Sequence, residues 1–264
     1  MSNSRLKERY DKIAPLWDSK AYAGLRRDDL LLEILRLIKL DKLPKNPSIL
    51  DLMCGTGIVG LTIKKYLQEK GIDSKVSFLD FSQAMLDQIP DDEAEIKMCD
   101  DITMMPFNHS FDRIVLRNGL YDLEESSQLP TLRQIYKVLK EDGLFVLISY
   151  CPTKKLQPYY NGIVNFKDQL AGWNDGKHNR YFTTEKELRE KFSKAGFKNV
   201  ERKFRFFGTL RYEKTGEMNK TASEKWKRYV LDIPKPIRNK MGIKLQPDET
   251  VEYQFPGIIL VAEK

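Results

Sequence analysis

Apolar and polar residues follow one another along the chain in blocks that favour strands and helices in turn. Between residues 48 and 150, strand-length apolar runs alternate with segments that have the spacing of amphipathic helices. This alternation is typical of a parallel sheet with helices on both faces and right-handed crossovers. We therefore predict an α/β fold with a doubly wound, mostly parallel, seven-stranded sheet. The predicted strands are 48–53, 75–81, 94–100, 111–118, 144–150, 198–210 and 251–263.

The segments outside this alternation are rich in aromatic residues. We predict one domain over residues 1–264, in which residues 46–150 bind the main ligand. Residues 1–45 form an N-terminal helical cap in this scheme. Two insertions, 151–183 and 211–250, are not needed by the sheet, and long segments of this kind are often functional. The cap and both insertions are therefore predicted to cover a substrate.

The first predicted strand runs directly into a glycine-rich turn, in the stretch ILDLMCGTGIVGLTI at residues 49–63. Gly55, Gly57 and Gly60 have the spacing of a dinucleotide-binding loop, and no Gly-Lys-Ser/Thr of a P-loop follows. Asp51 lies just upstream, where it would repel a pyrophosphate at the helix N-terminus. A ligand with an ammonium, a sulfonium and a single carboxylate suits this turn better. S-adenosylmethionine has that chemistry.

Further acids stand at the ends of the next two predicted strands. Ligands of open α/β sheets lie at the carboxyl ends of the strands, so these acids meet at one edge. Asp80 can accept hydrogen bonds from both hydroxyls of a ribose, as an acid does in dinucleotide folds. Asp101 can accept from the exocyclic amine of adenine, with Ile102 as an apolar surface for the ring.

Four stretches resemble, in order, the successive motifs of class I S-adenosylmethionine-dependent methyltransferases. They are ILDLMCGTGIVGLTI, VSFLDFSQAML, DDITMMPFNHSFDRIVLRNGLYDL and LRQIYKVLKEDGLFVLISY. YDKIAPLWD at 10–18 and the stretch 181–200 are similar to parts of the small-molecule branch that includes ubiquinone/menaquinone-biosynthesis methyltransferases. The resemblance implies a Rossmann-like methyltransferase with S-adenosylmethionine as its cofactor.

The resemblance also assigns individual positions to the cofactor. These are Asp51, Gly55, Thr56 and Gly57 at its amino-acid end, Asp80, Phe81 and Met85 at the ribose, Asp101 and Ile102 at the adenine, and Arg117 and Asn118 at the methyl-transfer side. The chain departs from the family pattern at Met53, which replaces the first motif glycine. It also departs at Tyr121 and Asp122, where relatives often carry histidines.

Aromatic residues of the cap and the first insertion suggest where the methyl acceptor binds. We predict a closed apolar pocket formed by Tyr10, Trp17, Tyr22, Tyr150 and Trp173. Arg117, Tyr121 and His178 are the predicted catalytic groups, His178 because histidine is the commonest general base. An alternative is that these rings only pack the cover onto the sheet. Methyl transfer itself needs positioning and desolvation more than acid–base chemistry.

The charge of the chain leaves a second class of substrate open. The formal net charge is +7, and basic residues are densest between residues 202 and 240. We prefer a solvated basic face to an RNA-binding patch, because the basic residues are mixed with 38 acids. The alternatives to a small-molecule methyltransferase are an RNA- or protein-modifying methyltransferase and a non-methylating S-adenosylmethionine-binding protein.

Cysteine usage and hydropathy bear on the environment of the protein. Cys54, Cys99 and Cys151 are far apart, so we expect reduced thiols and no metal site. The longest apolar runs are too short to span a bilayer, and the N-terminus is polar and charged. We therefore expect a cytoplasmic protein without a membrane span.

Overall fold

The computed structural model describes residues 4–22, 27–174, 176 and 178–264, and its centre is an open, mixed sheet. The strands are β1 Ser48–Leu52, β2 Lys75–Asp80, β3 Ile96–Cys99, β4 Phe111–Arg117, β5 Leu139–Tyr150, β6 Lys198–Leu210, β7 Lys244–Leu245 and β8 Val251–Glu263. Their order is β3-β2-β1-β4-β5-β8-β6. The first five strands are parallel, and β8 is antiparallel to both of its neighbours. The predicted seven-stranded, mostly parallel sheet is confirmed, and the two-residue β7 adds a short pairing to β8.

Helices cover both faces of the sheet. They are α1 Ser4–Ile13, α2 Leu31–Leu37, α3 Ile58–Glu69, α4 Gln83–Leu86, α5 Glu125–Val138, α6 Gln157–Leu170, α7 Glu185–Ala195, α8 Lys220–Leu231 and α9 Lys235–Lys240. The alternation of a strand sends Ile49 into one hydrophobic cluster and Leu50 and Leu52 into another. Two covered faces explain why the central strands are buried along nearly their whole length.

The sequence predicts that one helix begins at Ser82 and another at Thr184, because serine and threonine are favoured N-cap residues. The Ser82 side chain accepts a hydrogen bond from the Met85 N–H, as predicted for an N-cap. Thr184 caps α7 in a reciprocal arrangement with Glu187, and Gly196 ends that helix in a left-handed conformation. These helix ends follow from side chains within three residues of the cap.

Both insertions contain helices. The segment 151–183 includes the 14-residue α6, whose Tyr160, Ile163 and Val164 are buried in the main core. The segment 211–250 contains α8 and α9, and α8 buries Trp226 and Val230. Their apolar faces pack against neighbouring elements, and this tertiary packing supplies most of a helix's stability. Within the described ranges, no helix is long and apolar enough to cross a membrane.

Candidate functional site

Asp51 lies at the junction between β1 and α3. Its side chain is buried, and its Oδ2 accepts a hydrogen bond of 2.8 Å from the Gly60 N–H in the first turn of α3. Burial raises the pKa of Asp51 to about 7, although the Gly60 N–H and the charge of Arg117 act in the opposite direction. Asp51 therefore fixes the helix start and also presents a carboxyl at the strand ends.

Asp80 ties the end of β2 to the glycine turn. Its Oδ2 accepts from the Gly55 N–H at 2.8 Å, and its Oδ1 accepts from the Ser82 N–H at 3.0 Å. Burial raises the pKa of Asp80 to about 6, although these backbone hydrogen bonds lower it. A carboxylate oxygen can accept more than one hydrogen bond, so both oxygens retain capacity for a ligand hydroxyl.

The backbone of the turn adopts conformations that favour glycine. Gly55 and Gly57 have φ values of 55° and 77°, in the left-handed region. A side chain at Gly57 would collide with Ile89, so this glycine serves the packing of the turn. At Gly55, a Cβ would lie 3.5 Å from the indole nitrogen of Trp17. The bare backbone of Gly55 therefore faces the N-terminal cap rather than the sheet.

Met53 also has a left-handed backbone, with a φ of 49°. The position thus keeps the backbone conformation that suits the glycine of the family motif. A residue with a side chain adopts this conformation at an energetic cost. The thioether packs over Gly119, where any side chain would collide with it. Met53 therefore lies between the glycine turn and the end of β4.

Two neighbouring cavities open at the carboxyl ends of the strands. The first cavity, of about 60 Å³, lies between the glycine turn and the cap. It brings together the predicted site residues Tyr10, Trp17, Asp51, Gly55, Asp80, Phe81, Met85, Arg117, Asn118, Tyr121 and Tyr150. Tyr10 and Trp17 of the cap line it together with the glycine turn.

The second cavity is larger, at about 450 Å³, and falls in the size range of ligand pockets. The predicted site residues on its wall are Phe81, Asp101, Ile102, Trp173 and His178. Met53, Phe81, Asp122 and Arg180 line both cavities, which are therefore adjacent. One extended ligand could contact both.

The remaining predicted residues lie outside the linings of these two cavities. Thr56 turns away and donates a hydrogen bond to Asp18, 3.2 Å from its Oδ1. Tyr22 is buried behind Trp17, with ring centroids 5.3 Å apart, and so supports the pocket wall instead of forming it. Gly57 packs against Ile89, as described above.

The three predicted catalytic groups are not brought together. Arg117 and Tyr121 line the first cavity, whereas His178 lines the second. Arg117 pairs with Asp28 at 3.2 Å, and the Tyr121 ring stacks on Phe182 with centroids 4.6 Å apart. His178 shares the lining of the second cavity with Asp101.

A group of buried charges, which the sequence did not suggest, joins the cap to both insertions. We call it the ion network, and it consists of Arg9, Asp122, Lys167, Asp168, Arg180 and Glu217. Arg9 contacts Glu217 through two nitrogens, at 2.5 and 3.0 Å, and Lys167 lies 3.1 Å from the same carboxylate. Lys167 also pairs with Asp168 at 2.8 Å.

Arg180 completes the ion network on the side of the sheet. It lies 2.8 Å from Asp168 and 3.2 Å from Asp122, and Asp122 accepts a hydrogen bond of 2.6 Å from the Tyr10 hydroxyl. The paired side chains are nearly inaccessible to solvent. The partners come from distant parts of the sequence, so no local spacing could have predicted them. The only sequence signal was Asp122, at the altered motif after β4.

A metal is not indicated by the described parts of the chain. No group of three or more histidine, cysteine, aspartate or glutamate residues there could hold an ion. Cys54 and Cys151 are buried free thiols, and Cys99 is an exposed one.

Comparison with known proteins places this arrangement among methyltransferases. Residues 49–143 match the family described as a methyltransferase domain. A demethylmenaquinone methyltransferase of Lactiplantibacillus plantarum is 29% identical over 60% of this chain and 73% of its own length. The ubiquinone/menaquinone biosynthesis C-methyltransferase UbiE of Rickettsia prowazekii is 24% identical over 60% of this chain. The match spans 63% of that relative, slightly less than two thirds of its length.

Solved structures share the fold at low sequence identity. The YcgJ protein of Bacillus subtilis superposes with a TM-score of 0.72 over 89% of this chain and 98% of its own, at 16% identity. PigF, solved with S-adenosylhomocysteine (SAH), superposes with a TM-score of 0.58 over 98% of this chain and 61% of its own, at 14% identity. SAH is what remains of S-adenosylmethionine after the methyl group has been transferred.

Proposed function

Because the chain is a class I S-adenosylmethionine-dependent methyltransferase, similar to the ubiquinone/menaquinone type, we propose that it methylates a small, ring-bearing or hydrophobic acceptor. The observation that carries this proposal is the aromatic wall of the first cavity. Tyr121, Tyr150, Phe182 and Phe255 line it in mutual contact beside the strand ends. Such a wall binds an apolar ring and excludes water from the reaction.

The residues at the strand ends fit the cofactor. Asp80 has hydrogen-bonding capacity for the ribose hydroxyls, and the second cavity has room for an adenosine beside Asp101 and Ile102. The backbone of Gly55 and the carboxyl of Asp51 suit the amino-acid end in the first cavity. When bound, S-adenosylmethionine supplies an electrophilic methyl group on a sulfonium.

The protein's own contribution is to position and desolvate the acceptor. An in-line displacement requires the nucleophile to be held opposite the departing sulfur. The cavity of about 60 Å³ is smaller than typical ligand pockets of roughly 300–1,000 Å³, so we infer that Tyr10 and Trp17 move when ligands bind. In this proposal the N-terminal cap opens and then closes over the ring. Arg117 and Tyr121 remain beside the acceptor, and His178 borders the adenosine.

Ion pairs in the basic segment 202–240 favour a small acceptor over RNA or a protein. Arg202 and Arg205 both pair with Glu185, at 2.6 and 3.1 Å, and Lys203 pairs with Glu201. Arg211 pairs with Glu252 at 2.5 Å. A basic surface that binds phosphates needs cations free to neutralise them. In the basic segment, these side chains already pair with acids.

The proposal is tested by calorimetry and by label transfer. We expect the protein to bind SAH and S-adenosylmethionine. Labelled cofactor should transfer its methyl group to members of a panel of aromatic acceptors, including the demethylated quinols that the relatives' names indicate. Absence of transfer to every ring acceptor, together with transfer to RNA or protein, would overturn it.

Asp80 provides the matching variant test. Asp80→Ala should weaken cofactor binding at least about tenfold, because a lost hydrogen bond to a charged group costs roughly 1.5–3 kcal/mol. Asp87→Ala removes an exposed aspartate only seven positions along the chain and should leave the affinity unchanged. If both variants bind the cofactor like the unmodified protein, the assignment of Asp80 to the ribose is wrong.

A further inference from the structure

Two arginines of the ion network have N–H groups that find no acceptor. Arg9 and Arg180 are 2% and 8% exposed. Among the described residues, Nη1 of Arg9 and both Nη2 and Nε of Arg180 have no hydrogen-bond partner. A buried guanidinium nitrogen without an acceptor is unfavourable, since water is lost and nothing replaces it. The other terminal nitrogen of each side chain lies near a carboxylate, Glu217 for Arg9 and Asp122 for Arg180.

Both arginines line the first cavity, on the side of Tyr10 and Asp122. The guanidinium carbon of Arg9 lies 4.9 Å from the centre of the Tyr10 ring, and the Tyr10 hydroxyl contacts the same Asp122 that Arg180 pairs with. The two cations are close enough that the charge of Arg9 lowers the pKa of Arg180. Burial lowers it as well, but Asp122 and Asp168 outweigh both and hold the pKa above its ordinary value. Both guanidiniums are therefore charged.

The acids of the first cavity are divided between two tasks. Asp51 and Asp80 stand at the glycine turn, where the cofactor's ammonium and hydroxyls would contact them. Asp122 is engaged by Arg180 and Tyr10. The unsatisfied N–H groups of two neighbouring guanidiniums are thus available as donors to the acceptor. Guanidinium groups match the planar pair of oxygens of a carboxylate better than a single carbonyl.

We propose that Arg9 and Arg180 bind a carboxylate of the methyl acceptor, so that the preferred substrate is an aromatic or hydrophobic acid. This inference rests on the proposed function and narrows its substrate class. The ring contacts the aromatic wall, and the carboxylate occupies the space between the two guanidiniums. The carboxylate thereby orients the ring and takes no part in the transfer of the methyl group.

Ring-matched acids and amides test the inference on the unmodified protein. Benzoate, phenylacetate and 2-naphthoate are titrated by calorimetry into the full chain saturated with SAH, and each is compared with its primary amide. We expect at least one acid to bind tenfold or more tightly than its amide. If no acid binds more tightly than its amide, or no acid binds at all, the inference is overturned.

Charge-conserving variants then locate the effect. Arg9→Lys and Arg180→Lys keep the positive charge but lose the fork of N–H groups, and each should reduce the preference for the acid to less than threefold. Arg113→Lys is the matched control, because Arg113 is also buried but bonds to the carbonyls of Ile38 and Asp112. Unchanged SAH affinity and near-ultraviolet circular dichroism verify the folding of each variant. A preference that survives in both cavity variants contradicts the assignment.

The experiment separates the inference from the proposed function. If SAH does not bind to the unmodified protein, the proposed function fails. If SAH binds and label moves to neutral rings while acids show no preference, only the carboxylate site fails. The comparison of acid with amide needs no variant, so it remains decisive even if both arginine variants misfold.

Discussion

The two sides of the first cavity hold their charges in different ways. At the glycine turn, Asp51 and Asp80 accept hydrogen bonds from backbone N–H groups at most 25 residues away in the sequence. In the ion network, Arg9 binds a carboxylate 208 residues away. The glycine turn is therefore a local structure that depends on residues close to it in the sequence. The acceptor side exists only when the cap and both insertions are assembled.

The difference also has electrostatic consequences. Burial raises the pKa of Asp51 and Asp80, because their partners are neutral N–H groups. The carboxyls of Glu217 and Asp168 are buried as deeply, but neighbouring cations hold each pKa below its ordinary value. Acids at the turn thus titrate near neutral pH, whereas those of the network remain ionised. Variants on each side should reveal this contrast.

The largest effect is expected from breaking the ion network at Glu217. Glu217→Gln should lower the free energy of unfolding by about 3–5 kcal/mol, because Arg9 and Lys167 would be left buried without their shared counter-charge. Urea unfolding followed by circular dichroism measures this loss. Glu224→Gln removes an exposed partner of Lys227 and should cost less than about 1 kcal/mol. Equal effects of the two substitutions would mean that the network contributes no more than a surface pair.

At the glycine turn, Asp51→Asn should raise the free energy of unfolding, whereas Glu217→Gln lowers it. The folded-state pKa of about 7 exceeds the ordinary 3.8, so the folded protein binds more protons than the unfolded chain between these values. Stability therefore falls as the pH rises through this window. At pH 8 the buried carboxyl is ionised, so the whole loss of stability is present. Three pKa units correspond to about 4 kcal/mol at most. Asparagine can still accept from the Gly60 N–H, and should raise the free energy of unfolding by about 2–4 kcal/mol at pH 8.

The control for Asp51→Asn is to measure the free energy of unfolding at a lower pH as well. At pH 4 the native carboxyl is already protonated, so the substitution should have little effect on stability there. Calorimetry at pH 8 should show at least a tenfold loss of cofactor affinity in the same variant. A carboxyl that binds the ammonium would thus be kept for function at the expense of stability. If the variant is less stable at pH 8 than at pH 4 relative to the unmodified protein, the burial argument is wrong.

The parts of the molecule that the sequence predicted are those fixed by neighbouring residues. The ends of β6 and β8, the Ser82 cap and the acids at the strand ends follow from local pattern and from the rule for parallel sheets. The length of α6 and the ion network could not be read in this way. Lys167 and Asp168 look like solvent-facing residues of an amphipathic helix until Arg9, Arg180 and Glu217 are brought to them.

Individual site assignments show the same limit. Asp51, Asp80 and Tyr121 could be placed at the cavity because each lies at or shortly after the carboxyl end of a predicted strand. Tyr22 and His178 lie in segments whose course depends on tertiary contacts, and the structure places Tyr22 behind the wall and His178 at the second cavity. Composition alone indicated that rings surround the site. Which rings face the ligand depends on tertiary packing.

The smallest effect is expected at Met53, where the turn meets the wall shared by both cavities. Met53→Gly relieves a left-handed backbone that costs other residues roughly 1–2 kcal/mol, but it removes the thioether from Gly119. These contributions oppose each other, so the free energy of unfolding should change by no more than about 1 kcal/mol. Cofactor affinity should stay the same or increase slightly.

Met53→Leu separates the two contributions, because leucine keeps the bulk and the backbone strain but removes the sulfur. If the side chain only crowds the methionyl end of the cofactor, calorimetry should give equal affinity for the leucine variant and equal or higher affinity for the glycine variant. A large loss of affinity in Met53→Gly, with circular dichroism unchanged, would instead make Met53 a binding contact. The local turn would then depend on a side chain that the glycine of the family motif does not provide.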